Sequence, residues 1–238
     1  MKITKQFLIC TLCLLNSLSA FCQETTANLD ARTIILKCID RMGGMEKLRS
    51  VKTLYTELTT EMDGRKVTWV TKEMLPNKGA FQIVYNGSIV YQDWFDGQKG
   101  FETRRGEVVE TAAEQLTNKF PRKNIFNELD YLDSSVYAIE RMEDVKVKRS
   151  DCYKVKARFI TGRIKLVYIE KKTFNIIRED VTDAGSPETS ITYFSDFKRF
   201  GDIYFYGKMV LGDTPDAQVA TVTRLVANEL ITERDFTK

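Results

Sequence analysis

From about residue 51 onward the apolar positions recur at every second residue. Leu54, Thr56, Leu58, Thr60 and Met62 fall on one face of a strand, and Tyr55, Glu57, Thr59 and Glu61 on the other. Val67, Trp69 and Thr71 alternate with Lys66, Thr68 and Lys72. Phe81, Ile83 and Tyr85 alternate with Gln82 and Val84, and Ile89, Tyr91 and Phe95 with Val90, Gln92 and Trp94. Asp63-Gly64, Asn86-Gly87, Asp96-Gly97 and Arg105-Gly106 separate or follow these runs, and such pairs accept left-handed turns, so consecutive hairpins are predicted. Strands resume near Val136, and the same pattern predicts strands over 144–148, 152–159, 164–170, 176–182, 189–200, 203–211 and 219–227, with a last short segment over 230–236. Several strands are apolar on both faces, so both faces of the sheet are expected to be covered.

Two stretches change period. Ala31, Ile34, Ile35, Cys38, Ile39 and Met42 form one helical stripe, with Asp30 as N-cap and Gly43-Gly44 as the stop. This helix is expected to plug one face of the sheet. Between 110 and 134, Ala112, Ala113 and Leu116, then Ile125, Phe126, Leu129 and Leu132, fit two short helices broken at Pro121. They serve either as a movable lid or as a fixed plug. No repeat, low-complexity tract or long linker interrupts the chain, so residues 23–238 are expected to form a single domain.

The chemistry is narrowed by what is missing. The 238 residues contain no histidine, which removes the usual general base and the commonest metal ligand. Residues 1–22 have a basic start, an apolar run from Phe7 to Leu15 and Ala20-Phe21-Cys22, the layout of a cleaved secretory signal. Phe21 argues against lipidation of Cys22, so a soluble periplasmic form is expected over a lipid-anchored outer-membrane one. Without that leader, 34 basic side chains face 33 acidic ones, a balance that excludes a nucleic-acid partner. Of five cysteines only Cys38 and Cys152 then remain, read as buried free thiols, although pairing stays open. No metal site, cofactor or catalytic residue is assigned. Charged pairs such as Arg104-Arg105 and Glu140 with Glu143 read as solvated turns or guards of edge strands.

Trp94-Phe95-Asp96-Gly97, Phe194-Ser195-Asp196-Phe197-Lys198 followed by Gly201, Asn228-Glu229-Leu230 leading to Phe236, and Gly43-Gly44-Met45-Glu46-Lys47-Leu48 resemble segments of the LolA-type periplasmic carriers of outer-membrane lipoproteins. The order of elements resembles that family over nearly the whole mature chain. The resemblance implies a mainly β fold: a large curved antiparallel sheet forming an unclosed β-barrel, with an N-terminal helix and mid-chain lid or plug helices. It also implies a monomer that holds lipid acyl chains or lipoproteins and makes at most peripheral contact with membrane machinery. The lid-holding arginine of such carriers has no counterpart here. Lys72 lies in the right region, but an ammonium is not a fork-shaped donor. Tyr204, Phe205 and Tyr206 also stand where the family tends to have a proline.

Tyr55, Trp69, Phe81, Tyr85, Tyr91, Trp94 and Phe101 gather on the first half of the sheet, more than one helix can cover. Trp69, Phe81, Trp94 and Phe101 are therefore expected to line an apolar concavity, with Leu116 and Phe126 contributed by the lid. The function expected is a periplasmic binding or carrier protein without turnover. The alternative is a non-catalytic structural or partner-binding module of the cell envelope whose core fills its own concavity.

Overall fold

Three of the turns have both central residues in the left-handed region: Asp63 and Gly64 at φ 50° and 71°, Asn86 and Gly87 at 49° and 77°, Arg105 and Gly106 at 53° and 85°. That geometry matches the twist of paired strands and closes tight hairpins. In the computed structural model, which describes residues 29–237, these turns join β1 (Thr53–Met62) to β2 (Arg65–Met74), β3 (Lys78–Tyr85) to β4 (Ser88–Phe95), and β5 (Gly100–Arg104) to β6 (Glu107–Glu110). The expected leader and Cys22 lie outside the described residues.

A second meander runs through β7 (Tyr137–Val147), β8 (Ser150–Phe159), β9 (Ile164–Glu170), β10 (Ile176–Thr182) and β11 (Thr189–Ser195). A small separate hairpin follows, β12 (Lys198–Phe200) with β13 (Ile203–Phe205), and then β14 (Lys208–Leu211) and β15 (Gln218–Ala227). β15 pairs with β1 on one side and β14 on the other, so the two meanders form one sheet of 13 strands ordered β6-β5-β4-β3-β2-β1-β15-β14-β11-β10-β9-β8-β7. β6 and β7 do not meet. The sheet is curved, antiparallel and unclosed, as the resemblance implied.

The N-terminal stripe forms α1 (Ala31–Met42). Asp30 accepts the Thr33 amide at 2.7 Å, and Gly43, at φ 141°, ends the helix. A Cβ on Gly43 would lie 3.0 Å from the Asp202 carbonyl oxygen, which is how closely the β12–β13 hairpin approaches. A second, short helix, α2 (Met45–Ser50), follows directly. Ile34, Ile35 and Ile39 are fully buried against Leu54, Leu58, Val155, Val167, Ala220 and Val222. Each such side chain contributes roughly 1.5–3 kcal/mol, so α1 anchors the concave face.

Both faces are covered, but unequally. On the convex side Val147, Cys152 and Tyr168 form one cluster, and Ala80, Trp94, Phe101, Ile231 and Phe236 form another. Cys38 and Cys152 belong to different clusters and remain free thiols, both pushed up by burial, Cys152 to about 11. The segment expected over 230–236 is not a strand. It turns at Asn228 and Leu230, both at positive φ, and ends in a 3-10 helix (Glu233–Phe236) capped reciprocally by Thr232 and Asp235. Lys72 on β2 holds it through Asp235 at 2.6 Å.

The stretch between β6 and β7 contains a 3-10 turn (Ala113–Leu116) and one four-residue helix, α3 (Asn127–Asp130), not two helices meeting at Pro121. Isolated backbone turns such as Lys119 N–H to Leu116 and Tyr131 N–H to Asn127 are joined there by side-chain bonds. Asn124 donates to Asp130 at 2.8 Å, and Arg122 donates to the carbonyls of Asn124 and Ile125 at 3.3 and 2.8 Å. These local partners compete with a helical ladder.

Candidate functional site

Strand register decides what faces the concavity. Leu58 opposes Trp69, Thr56 opposes Thr71, and Leu54 opposes Glu73, so all six share the concave face. Trp69 opposes Ile83 and Thr71 opposes Phe81, which extends that face onto β3. Above it lie α1, the inserted segment 111–135 and the β12–β13 hairpin, which folds out of the sheet as a flap. Gly207 permits that fold, since a Cβ there would meet the Asp196 carbonyl oxygen at 2.5 Å. Lys47 holds the flap through Asp202 at 2.7 Å, and the Arg41 guanidinium lies 3.9 Å from the centre of the Tyr204 ring.

Two adjoining cavities result. The first, about 360 Å³, lies between α1, α3, β10, β11 and the flap, with Met42, Phe126, Phe174, Phe194, Phe197 and Tyr204 in its wall. The second, about 440 Å³, runs along β1–β3 under Leu58, Trp69 and Phe81. Leu54, Glu73, Arg122, Phe205, Tyr206 and Met209 line both, so the cavities share a wall. Trp69 and Phe81 meet edge to face with centroids 5.9 Å apart, and Phe126 meets Phe205 at 6.5 Å.

Charged and polar side chains share these walls with the aromatic ones: Arg41, Glu73, Arg122, Glu128 and Glu179 border the first cavity, and Asp93, Lys119 and again Glu73 and Arg122 the second. Arg122 on the inserted segment donates to Glu73 on β2 at 3.2 Å, and burial pushes the Glu73 carboxyl upward against that guanidinium. Glu179 accepts the Tyr131 hydroxyl at 3.2 Å and lies 4.0 Å from Lys165 Nζ. Glu128 on α3 has no ion pair among the described residues. Burial pushes it up to about 7, and the Glu179 carboxylate adds to the shift. The Tyr206 hydroxyl is likewise pushed up by burial.

Of the residues expected to line the concavity, the structure brings Trp69, Phe81 and Phe126 to it. Trp94 and Phe101 stack at 5.4 Å on the opposite face, beneath Ile231 and Phe236. The cause is a bulge between Ile83 and Val84. A regular Asn86-Gly87 hairpin would set Trp94 opposite Gly79, on the face of Phe81, whereas the bulge sets it opposite Ala80. Leu116 packs on Gly100, where a Cβ would lie 2.6 Å from its Cδ2. Trp94, Phe101 and Leu116 border a separate recess of about 160 Å³. Lys72, on the face opposite Glu73, pairs with Asp235 and does not reach the inserted segment. The guanidinium that ties the inserted segment to the sheet is Arg122, through Glu73.

Sequence reasoning missed Glu73, Arg122, Glu128, Glu179 and the flap. The flap had one visible signal, the aromatic run Tyr204-Phe205-Tyr206 directly after the Gly201 turn.

No family model and no curated protein matches the chain. Solved structures do match in fold. A LolA superfamily protein from Nitrosomonas europaea superposes with a TM-score of 0.59 at 10% identity, covering 89% of this chain and 99% of that one. A domain from Vibrio parahaemolyticus, described as a candidate outer membrane lipoprotein-sorting protein, gives 0.56 at 11% identity, covering 86% and 95%. A DUF1329 family protein from Desulfovibrio piger gives 0.55 at 14% identity, with the same coverages. The chain has a LolA-like fold.

Proposed function

We propose that the concave face holds the acyl chains of a lipid or of a lipidated protein, and that the protein is a periplasmic carrier rather than a catalyst. The observation that supports this most is the pair of adjoining cavities, about 360 and 440 Å³, in which aromatic and aliphatic side chains such as Trp69, Phe81, Phe126, Phe194 and Phe205 stand beside charged ones. Pockets of roughly 300–1,000 Å³ with such walls suit small ligands. Each methylene buried gains about 0.8 kcal/mol, and a chain of about ten buried carbons offsets much of the cost of association. Among the described residues no helix is long and apolar enough to cross a membrane. The fold shared with the Vibrio domain points the same way.

A neutral fluorescent amphiphile such as N-phenyl-1-naphthylamine tests the reading. It should bind with a micromolar Kd, ~8 kcal/mol, and phospholipid should displace it. Phe205→Asp puts a carboxylate in the wall common to both cavities and should weaken probe binding about tenfold or more, with cooperative thermal unfolding retained as the check on folding. A folded wild-type protein that takes up no probe would favour the self-filled structural module instead.

A further inference from the structure

The geometry points to a head-group preference inside the first cavity: its ligand is an amphiphile bearing a protonated amine, seated against Glu128 among the aromatic rings of the same wall. This rests on the acyl-binding reading above and adds the polar end of the ligand. Three carboxylates line the cavity: Glu73, Glu128 and Glu179. Arg122 takes up Glu73 at 3.2 Å, while Lys165 and the Tyr131 hydroxyl attend Glu179. Glu128 is left with no cation at ion-pair distance among the described residues. The other cation in the wall, Arg41, lies over Tyr204 at the exposed side.

An anionic head group brought beside Glu128 would meet that carboxylate and Glu179, while the two guanidinium groups of the wall are engaged elsewhere, Arg122 with Glu73 and Arg41 over Tyr204. A bare metal ion is also a poor fit, because among the described residues no three metal-ligating side chains gather. An alkylammonium suits the part of the wall around Glu128. Its charge pairs with Glu128, the rings of Phe194 and Phe197 attract a cation through their quadrupoles, and the Tyr206 hydroxyl can accept an N–H. The apolar remainder of the ligand continues past Phe205 into the second cavity.

Glu128 is faced by Glu179 from β10, Lys165 from β9, Arg122 from the inserted segment, Cys38 from α1, Tyr206 beyond the flap and Tyr131 on its own segment. With its carboxyl pushed up to about 7, Glu128 is ionised at about pH 8 and largely protonated at about pH 5.5. The amine preference therefore weakens on acidification.

The test is competition against the neutral probe by dodecylammonium, dodecanoate and neutral monododecanoylglycerol. In the wild-type protein at about pH 8 the ammonium should compete about tenfold better than the neutral glyceride, and dodecanoate should compete worse. Glu128→Gln should collapse the ammonium-to-neutral ratio towards one and remove its pH dependence. Glu128→Lys should turn the preference towards dodecanoate, with cooperative melting as the folding check. If Glu128→Lys does not fold, the ratio in Glu128→Gln decides. Phosphatidylethanolamine and a diacyl lipopeptide with a free terminal amine then distinguish a membrane lipid from a lipidated protein as the source, and N-acetylation of either should abolish the advantage. Equal competition by ammonium and neutral ligands, or by acetylated and free amines, would overturn the head-group inference and leave acyl binding standing. If no ligand bound at all, both would fall.

Discussion

Glu128 shows how far a residue's surroundings can depart from what its neighbours in sequence suggest. Asn127-Glu128-Leu129-Asp130 reads as a mostly polar helical turn, yet the turn is folded under the flap and the carboxyl faces Glu179. Its folded value of about 7 lies above the ordinary 4.5, so the unfolded chain ionises first. The stabilising protonated form is fully present below about pH 4.5, and that stability is lost as pH rises through about 7. Glu128→Gln should therefore melt with the wild type near pH 4 and roughly 3 °C or more above it near pH 8. Parallel melting curves at both pH values would show that the carboxyl is well solvated. Trp94 makes the same point about register. Its alternation with Tyr91 and Phe95 is plain in the sequence, but the face it joins depends on the bulge at Ile83/Val84, which no local residue pattern announces.

At the scale of elements, legibility followed the strength of local signals. The α1 stripe, its Asp30 cap and the Gly43 stop were all readable, because periodicity and capping act within one turn. The Asp63-Gly64, Asn86-Gly87 and Arg105-Gly106 hairpins were readable for the same reason. The stretches 189–200 and 203–211 looked like continuous strands. They are broken at Asp196, at φ 54°, and at Gly207, where a flap pressed against α1 overrides the alternation. The inserted segment was readable as an interruption but not in its form, since Arg122, Asn124 and Asp130 hold it by side-chain bonds. Arg122 also ties this segment to β2 through Glu73. Arg122→Ala removes three donated bonds and leaves Glu73 half-buried without its partner, so amides of residues 113–130 should exchange about tenfold faster or more, with exchange in β8 and β9 unchanged. Unaltered exchange across 113–130 would mean that Leu116, Phe120 and Phe126 hold the segment by packing alone.

Among the described residues the molecule is two meanders joined along β1 and β15, with an opening between β6 and β7 and an interior covered by α1, the inserted segment and the flap. An unclosed curved sheet was implied by the family resemblance, whereas neither the join of β1 to β15 nor the division of the aromatics between the two faces was expected. That division also provides a direct optical probe. The chain has two tryptophans, and Trp69 lines the second cavity whereas Trp94 lies on the other face. In Trp94→Phe, Trp69 is the sole tryptophan, and a lipid brominated along its acyl chain quenches indole only at near contact. The decisive measurement is a titration of Trp94→Phe with such a lipid. Saturable quenching of Trp69 at micromolar lipid, reversed by unbrominated lipid, is the result predicted for acyl chains held on the concave face. Unquenched Trp69 fluorescence in the folded protein, at lipid concentrations well above that range, would contradict it.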